Sequence, residues 1–278
     1  MAPLPPTALS PVPAGGRRAR ESGQAVVEAA IILPAMIFLI LCAIQLTQLQ
    51  QARIMVEYAA FNAARAGIVH NMDNGKSNGL SDGPMRNAAV FSILPTFGQT
   101  NSVTAIGKAK LQYEVQDAVL RALGLPQVRV AVLNPHVADF TRWGGHLNGQ
   151  EIDFDDMRPQ AASATLLSLQ VRYLYEMKVP FANKMVQSIW FASQVGLLRL
   201  WQGVDLAGPR IGGQAGQDAV ALTGNVALGR GSIADGMPGG LNVSALAVLA
   251  RRNRFFLPVN AWYTMRMQSN PYRKWAAP

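Results

Sequence analysis

GQAVVEAAIILPAMIFLILCAIQLTQLQQARIMVEYAAFNAARAG, residues 23–67, carries a single charge, Glu28, before Arg53, and no glycine between its first and last positions. An α-helix rises 1.5 Å per residue, so about 20 apolar residues cross a hydrocarbon core of roughly 30 Å. Ala25 to Leu46 meets that length. The apolar region of a secretory signal peptide is about 7–15 residues long and ends at a small-residue cleavage site. This stretch is longer and runs on in helical register, so it reads as a retained transmembrane helix over 25–46 with an extension to residue 69. Residues 1–16 are uncharged and rich in Pro, Ala and Gly, and Arg17, Arg18 and Arg20 follow them. Basic residues on this flank keep it in the cytoplasm, so the chain after about residue 47 is expected across the membrane. The first partner implied is the lipid bilayer.

The 278 residues are 50 % hydrophobic and 15 % charged, with a net charge of +9. That apolar content excludes disorder for most of the chain. One cysteine, Cys42, excludes an internal disulfide and any CxxC metal or redox pair. The positive charge raises nucleic acid as a partner, but its placement argues otherwise: three arginines form the flank of the span. Two further clusters, Arg251, Arg252 and Arg254, and Arg266, Arg273 and Lys274, read as a solvated face or an anionic lipid contact. No nucleic acid is expected.

Glu28 is the feature that a plain anchor does not explain. A carboxylate inside an apolar span costs roughly 2.5–3.5 kcal/mol on insertion scales, which points to a partner. It is the fifth residue counting from Gln24, directly after Gly23 and a short basic leader. This arrangement resembles a prepilin processing signal. With Gly23, Gln24, Ala25, Val27 and Glu28, then Pro34, then Arg53, Ala63, Ala64 and Arg65, the segment resembles the TadE-like family of minor pilin-like proteins of tight-adherence (Flp) pilus systems. Two positions depart from the family pattern: Ala29 stands where an aromatic residue is common, and Gln45 where an acidic one is.

The resemblance implies a leader, residues 1–23, removed after Gly23 by an inner-membrane prepilin peptidase, with Gln24 as the new terminus. It implies that Glu28 pairs with the α-amino group of a neighbouring subunit, where each charge offsets the other's desolvation and fixes register. Pro34 lacks the N–H of a helix interior and bends the span. Cleavage would take 25 basic and 16 acidic residues to 22 and 15, a net +7. The implied function is that of a non-enzymatic, single-pass subunit of the bacterial inner membrane, used to assemble the pilus or its initiating complex. Its C-terminal domain is then periplasmic or, in a pilus, extracellular. The implied partners are other pilin-like subunits and the Tad assembly platform, and no cofactor is implied. Two alternatives come from other classes: an anchored periplasmic domain that binds polysaccharide, peptidoglycan or a protein without polymerising, and an anchored hydrolase using acids at 151–156.

Past the span, Gln50, Arg53 and Glu57 share one helix face, while Val56, Ala59, Ala60, Ala63 and Gly67 share another. The small residues admit close approach of either the protein's own domain or a second subunit. His70 to Pro84 reads as an exit loop. Residues 70–278 then read as an α+β domain with an antiparallel sheet. Helices are expected over 85–94 and 104–123, and a strand at Val128, Val130 and Val132. In LLSLQVRYLYEMK, Leu167, Leu169, Val171, Tyr173, Tyr175 and Met177 face one way, and Ser168, Gln170, Arg172, Glu176 and Lys178 face water. Pro180 opens a helix to about Trp201, with Phe181, Met185 and Ile189 at spacing four and Ala182, Val186 and Trp190 beside them; Asn183, Lys184, Gln187 and Arg199 interrupt it well before 18 apolar residues, so a core-facing role is expected rather than membrane insertion. Residues 203–240 are a Gly-rich loop and 243–253 a helix. A last strand places Leu257, Val259, Ala261, Tyr263, Met265 and Met267 on one face, and it is expected to pair with the 166–178 strand.

No catalytic or metal-binding constellation emerges. Glu151, Asp153, Asp155 and Asp156 lack the spacing of a Ca²⁺ loop, and Ile152, Phe154 and Met157 suggest a half-buried turn. His136 and His146 show no zinc spacing, so solvent exposure or a capping role is expected of them. Gly212 to Gly216 is neither a dinucleotide fingerprint nor a P-loop.

Overall fold

The structure, a computed structural model, describes residues 15–75, 83–145, 148–156, 158–159, 161–194, 232–233 and 241–278. The expected continuation of a helix to Trp201, residues 1–14 of the expected leader, and most of the Gly-rich stretch lie outside these residues. So do His146 and Met157.

One helix of 55 residues, α1 (Gly15–Val69), dominates the chain. Its two halves differ in surroundings. The apolar half stands bare: Val27, Ile31, Leu33, Ile37 and Ile40 are all exposed, and none of the apolar window is buried. From Gln45 onward one face turns inward, and Ala52, Val56, Ala59, Ala60, Ala63, Ala64 and Ile68 are buried. The opposite face keeps Arg53 and Glu57, paired at 3.3 Å and both well exposed.

Helix α2 (Pro84–Ile93) packs on the buried half of α1. Its proline lies in the first turn, where a missing N–H breaks no helix bond. A short 3-10 turn (Leu94–Thr96) leads to α3 (Val103–Ala122), which starts on Ser102 Oγ accepting the Ala105 N–H at 3.2 Å. Strand β1 (Val128–Asn134), helix α4 (Val137–Trp143) and strand β2 (Leu166–Met177) follow, then α5 (Ala182–Gln194). The pair β3 (Ser232–Ile233) and β4 (Leu241–Asn242), helix α6 (Val243–Arg251) and strand β5 (Phe255–Arg266) complete the order, with a 3-10 turn at Arg273–Trp275. The expected α+β class holds, and β3 adds a short strand inside the stretch expected to be loop.

The main sheet is antiparallel with order β1-β2-β5. The expected pairing of the two long strands is present in unbroken register from Leu166↔Arg266 to Met177↔Phe255. Pro258 has no N–H for a ladder, and it is accommodated because β5 is an edge strand. The odd-numbered residues of β2, Leu167 to Met177, join Leu257, Val259 and Ala261 of β5 and the alanine face of α1 in one core.

Two expectations fail. The second face of β2 is not wet: Gln170, Arg172 and Leu174 are buried. Leu174 and Phe256 point into a second apolar cluster with Leu120, Leu125, Leu241, Leu246 and Leu249, so the C-terminal end of α3 and helix α6 cover that face. Helix α5 starts at Ala182, and only one of its two expected core-facing stripes turns inward. Ala182 and Gln187 are buried and Val186 and Trp190 pack inward, while Phe181, Met185 and Ile189 are exposed.

Candidate functional site

Gly23, Gln24, Glu28 and Pro34 all lie along α1, and Glu28 and Pro34 fall in its exposed apolar part. Gly23 and Gln24 have helical backbone, and Glu28 lies one turn further along, exposed among Val26, Val27, Ile31 and Ile32. Pro34 sits inside the helix, so the carbonyl of Ala30 loses its usual i+4 donor. The expected residues therefore share one helix, and Glu28 and Pro34 lie in an apolar part of it that the described domain leaves uncovered.

The rod is tied to the domain where burial begins. Gln45 is fully buried, and its Oε1 accepts the Val179 N–H at 3.1 Å. One turn on, Gln48 Oε1 accepts the Tyr175 hydroxyl at 3.4 Å. Burial pushes the Tyr175 hydroxyl above its ordinary pKa. At the far end of the buried half, Gly67 approaches Leu167 so closely that a Cβ there would lie 2.6 Å from Leu167 Cδ2. Strand β2 thus runs antiparallel to α1, from Gly67 back to Gln45, about 33 Å along the helix axis. These amide contacts are short-range and directional, and the flanking sequence QLTQLQQ, residues 45–51, does not by itself reveal which glutamine turns inward.

Residues 23–65 match the family model for TadE-like proteins. The chain carries a TadE-like segment. No curated protein and no solved structure matches the chain. The matched residues run through the exposed apolar part of α1 and most of its buried half, so they form both a helix long and apolar enough to cross a membrane and the spine of the domain's core. The match supports a Tad pilus-related role for a membrane-anchored, structural protein.

Away from the TadE-like segment, the acids of the 151–156 turn have structural partners. In the 151–156 turn, Asp153 Oδ1 accepts the Asp155 N–H at 3.1 Å, Glu151 Oε2 accepts from Asn270 Nδ2 at 3.3 Å, and Asp156 pairs with Arg158. Ile152 is buried there and Phe154 exposed, the half-buried turn that the sequence suggests. Arg158 in turn lies over the Trp143 ring, 4.9 Å from its centroid. Among the described residues, no three His, Cys, Asp or Glu side chains gather as a metal cluster. His136 stands at the start of α4 with its N–H donating to Asp139 Oδ2 at 2.8 Å, the capping position expected of it.

Sequence reading missed a buried ionic network. Arg86 on α2 donates to Asp117 Oδ2 at 2.9 Å, to the Tyr113 hydroxyl at 2.7 Å and to the Val128 carbonyl at 3.3 Å. Asp117 also accepts from Arg121 at 2.7 Å and from the Gln127 N–H at 2.9 Å. The carboxylate is saturated with donors and locks α2, α3 and β1 together. Nothing in the spacing of residues 86 and 117 signals this, since they sit on separate helices. A shallow groove of about 550 Å³ between α1 and α2, lined by Tyr58, Asn62, Arg65, His70 and Phe91 among others, lacks a paired acid and base.

Proposed function

We propose that this protein is a minor pilin-like subunit of a tight-adherence (Flp) pilus system. A prepilin peptidase cuts it on the cytoplasmic side after Gly23, and its helix enters the pilus or the complex that initiates it. The bare half of α1 lies in the inner membrane, the N-terminal flank is cytoplasmic, and the α+β domain is periplasmic or displayed outside. Gly23 presents no side chain to the peptidase, Gln24 supplies the new α-amino group, and Glu28 of one subunit neutralises that group on the next. Pro34 lets the rod bend as it passes from bilayer to assembly.

One observation carries this reading: the family match begins at Gly23 and continues along a helix whose apolar half no other part of the described domain covers. An apolar rod of that length needs a second environment, and a bilayer followed by a bundle of like helices supplies it. Glu28→Ala separates this reading from an anchored domain that never polymerises. The substitution removes a charge from the span, so insertion is retained; pilus assembly should be lost. Normal pili from the E28A strain would contradict the pairing role.

A further inference from the structure

We infer that α5 is a second membrane contact, a surface-lying amphipathic helix that seats the domain on an anionic phospholipid bilayer beside its own transmembrane helix. The inference rests on the anchoring of α1 in the membrane.

The first observation is position. Val179, two residues beyond β2, is hydrogen-bonded to Gln45, next to the last residue of the 25–46 span. The chain is therefore at headgroup level when α5 begins. Helix α5 then crosses the span-proximal end of the sheet: Asn183 Nδ2 donates to the carbonyl of Met177 at 3.4 Å, and Gln187 Nε2 to that of Phe256 at 3.3 Å. Met177 and Phe255 are paired, so both bonds are made to the same end of the two strands. A helix bonded through its inner face to that end presents its outer face away from the sheet, toward the bilayer plane.

The second observation is chemistry. Phe181, directly before α5, and Met185 and Ile189 on its outer face are 75 %, 38 % and 54 % exposed. Phe181 holds φ at +64°, a conformation rare for an aromatic residue, with its ring turned out of the domain. Exposed basic residues stand at this end of the sheet: Lys178 and Lys184 on either side of the α5 start, and Arg251 and Arg252 where α6 ends, shortly before Phe255, which pairs with Met177. Large apolar side chains on one helix face with lysine and arginine at the rim are the pattern of interfacial helices, whose apolar face enters the headgroup and acyl boundary. Charge selects the lipid, because an anionic surface attracts such a rim. A second protein copy would have to reach this patch under the domain, where the bilayer already lies.

The test uses the full chain in nanodiscs of phosphatidylethanolamine and phosphatidylglycerol, with Cys42→Ser as background. Nitroxide labels are placed at M185C and I189C, at I37C in the span, and at A162C, exposed at the opposite end of β2. The labels at 185 and 189 should collide more with oxygen than with a water-soluble nickel chelate, as at 37, whereas 162 should show the reverse. The contrast at 185 and 189 should shrink in discs of phosphatidylcholine alone. Nickel accessibility at 185 and 189 equal to that at 162 would overturn the inference, and so would shielding from both reagents, which would indicate a protein partner. Nickel accessibility at 37 as well would overturn the anchoring itself.

Discussion

Gln45 Oε1 accepts the backbone N–H of Val179 at 3.1 Å, so the last turn of the apolar span is joined to residues just past the central strand. Both partners are buried, and 134 residues separate them. Replacing Gln45 with Ala leaves a buried N–H without an acceptor, which costs about 1–3 kcal/mol. Amide exchange at Val179 should accelerate in Q45A while exchange in β1 stays close to that of the unchanged chain. Equal protection of Val179 in both would show that the bond does not tie the domain to the span.

Gly67 sits where α1 passes nearest to β2 and α2. A methyl group there would meet Leu167 Cδ2 at 2.6 Å and Met85 Sδ at 3.1 Å. Both neighbours are ends of flexible side chains, so G67A should destabilise by about 1–3 kcal/mol rather than prevent folding. Denaturant unfolding of the chain in detergent measures the loss. Shortening Leu167 to Val in the same chain should recover part of it, and two independent, additive losses would rule out the contact as the cause.

Asp117 holds Arg86 and Arg121 together with the Gln127 N–H. Asp117→Ala strands the buried guanidinium of Arg86, for which a loss of about 3–5 kcal/mol is expected. Replacing both Arg86 and Asp117 with apolar residues of similar volume should cost less than D117A alone. Thermal unfolding of the two variants beside the unchanged chain checks the order, and a double variant weaker than D117A would contradict it.

Alkaline stability depends on buried tyrosine. Tyr173 is enclosed and bonded to Thr96 at 2.8 Å, and burial pushes its hydroxyl, like that of Tyr175, above the ordinary value of 10.0. Below pH 10 these groups keep their protons in both folded and unfolded chains and stability does not vary on their account. Above it the unfolded chain releases protons first, so stability falls as pH rises, by up to about 1.4 kcal/mol per pH unit for each group. Tyr173→Phe should be less stable at pH 8 but show a shallower fall between pH 10 and 11.5. Parallel curves for the two proteins would exclude this role.

Sequence periodicity disclosed much of this architecture and hid specific parts of it. The 3.6-residue pattern of Val56, Ala59, Ala60 and Ala63, and the twofold alternation of Leu167 to Met177 and Leu257 to Met267, are imposed by burial against one broad surface. That is why the helix extension and the pairing of β2 with β5 were legible. Polar residues at Ser168, Gln170 and Arg172 disguised the second buried face, whose only local sign was Leu174 breaking the alternation. For α5, the stripes 181/185/189 and 182/186/190 are both apolar, and only docking of Asn183 and Gln187 onto strand ends decides between them. The Arg86–Asp117 pair is a product of tertiary packing between two helices, which no local pattern records. Of the candidate site, the placement of Gly23, Gln24, Glu28 and Pro34 on one helix was legible because an unbroken run of helix-forming residues is a local signal, whereas the contact of Gln45 needed the fold.

Processing after Gly23 is the step on which the pilin reading depends. Intact-mass measurement of the protein purified from membranes of cells with an active prepilin peptidase addresses it directly. A mature chain beginning at Gln24 is expected, and it should revert to the uncut mass when the peptidase is absent. A protein that retains residues 17–23 in peptidase-positive cells would contradict it.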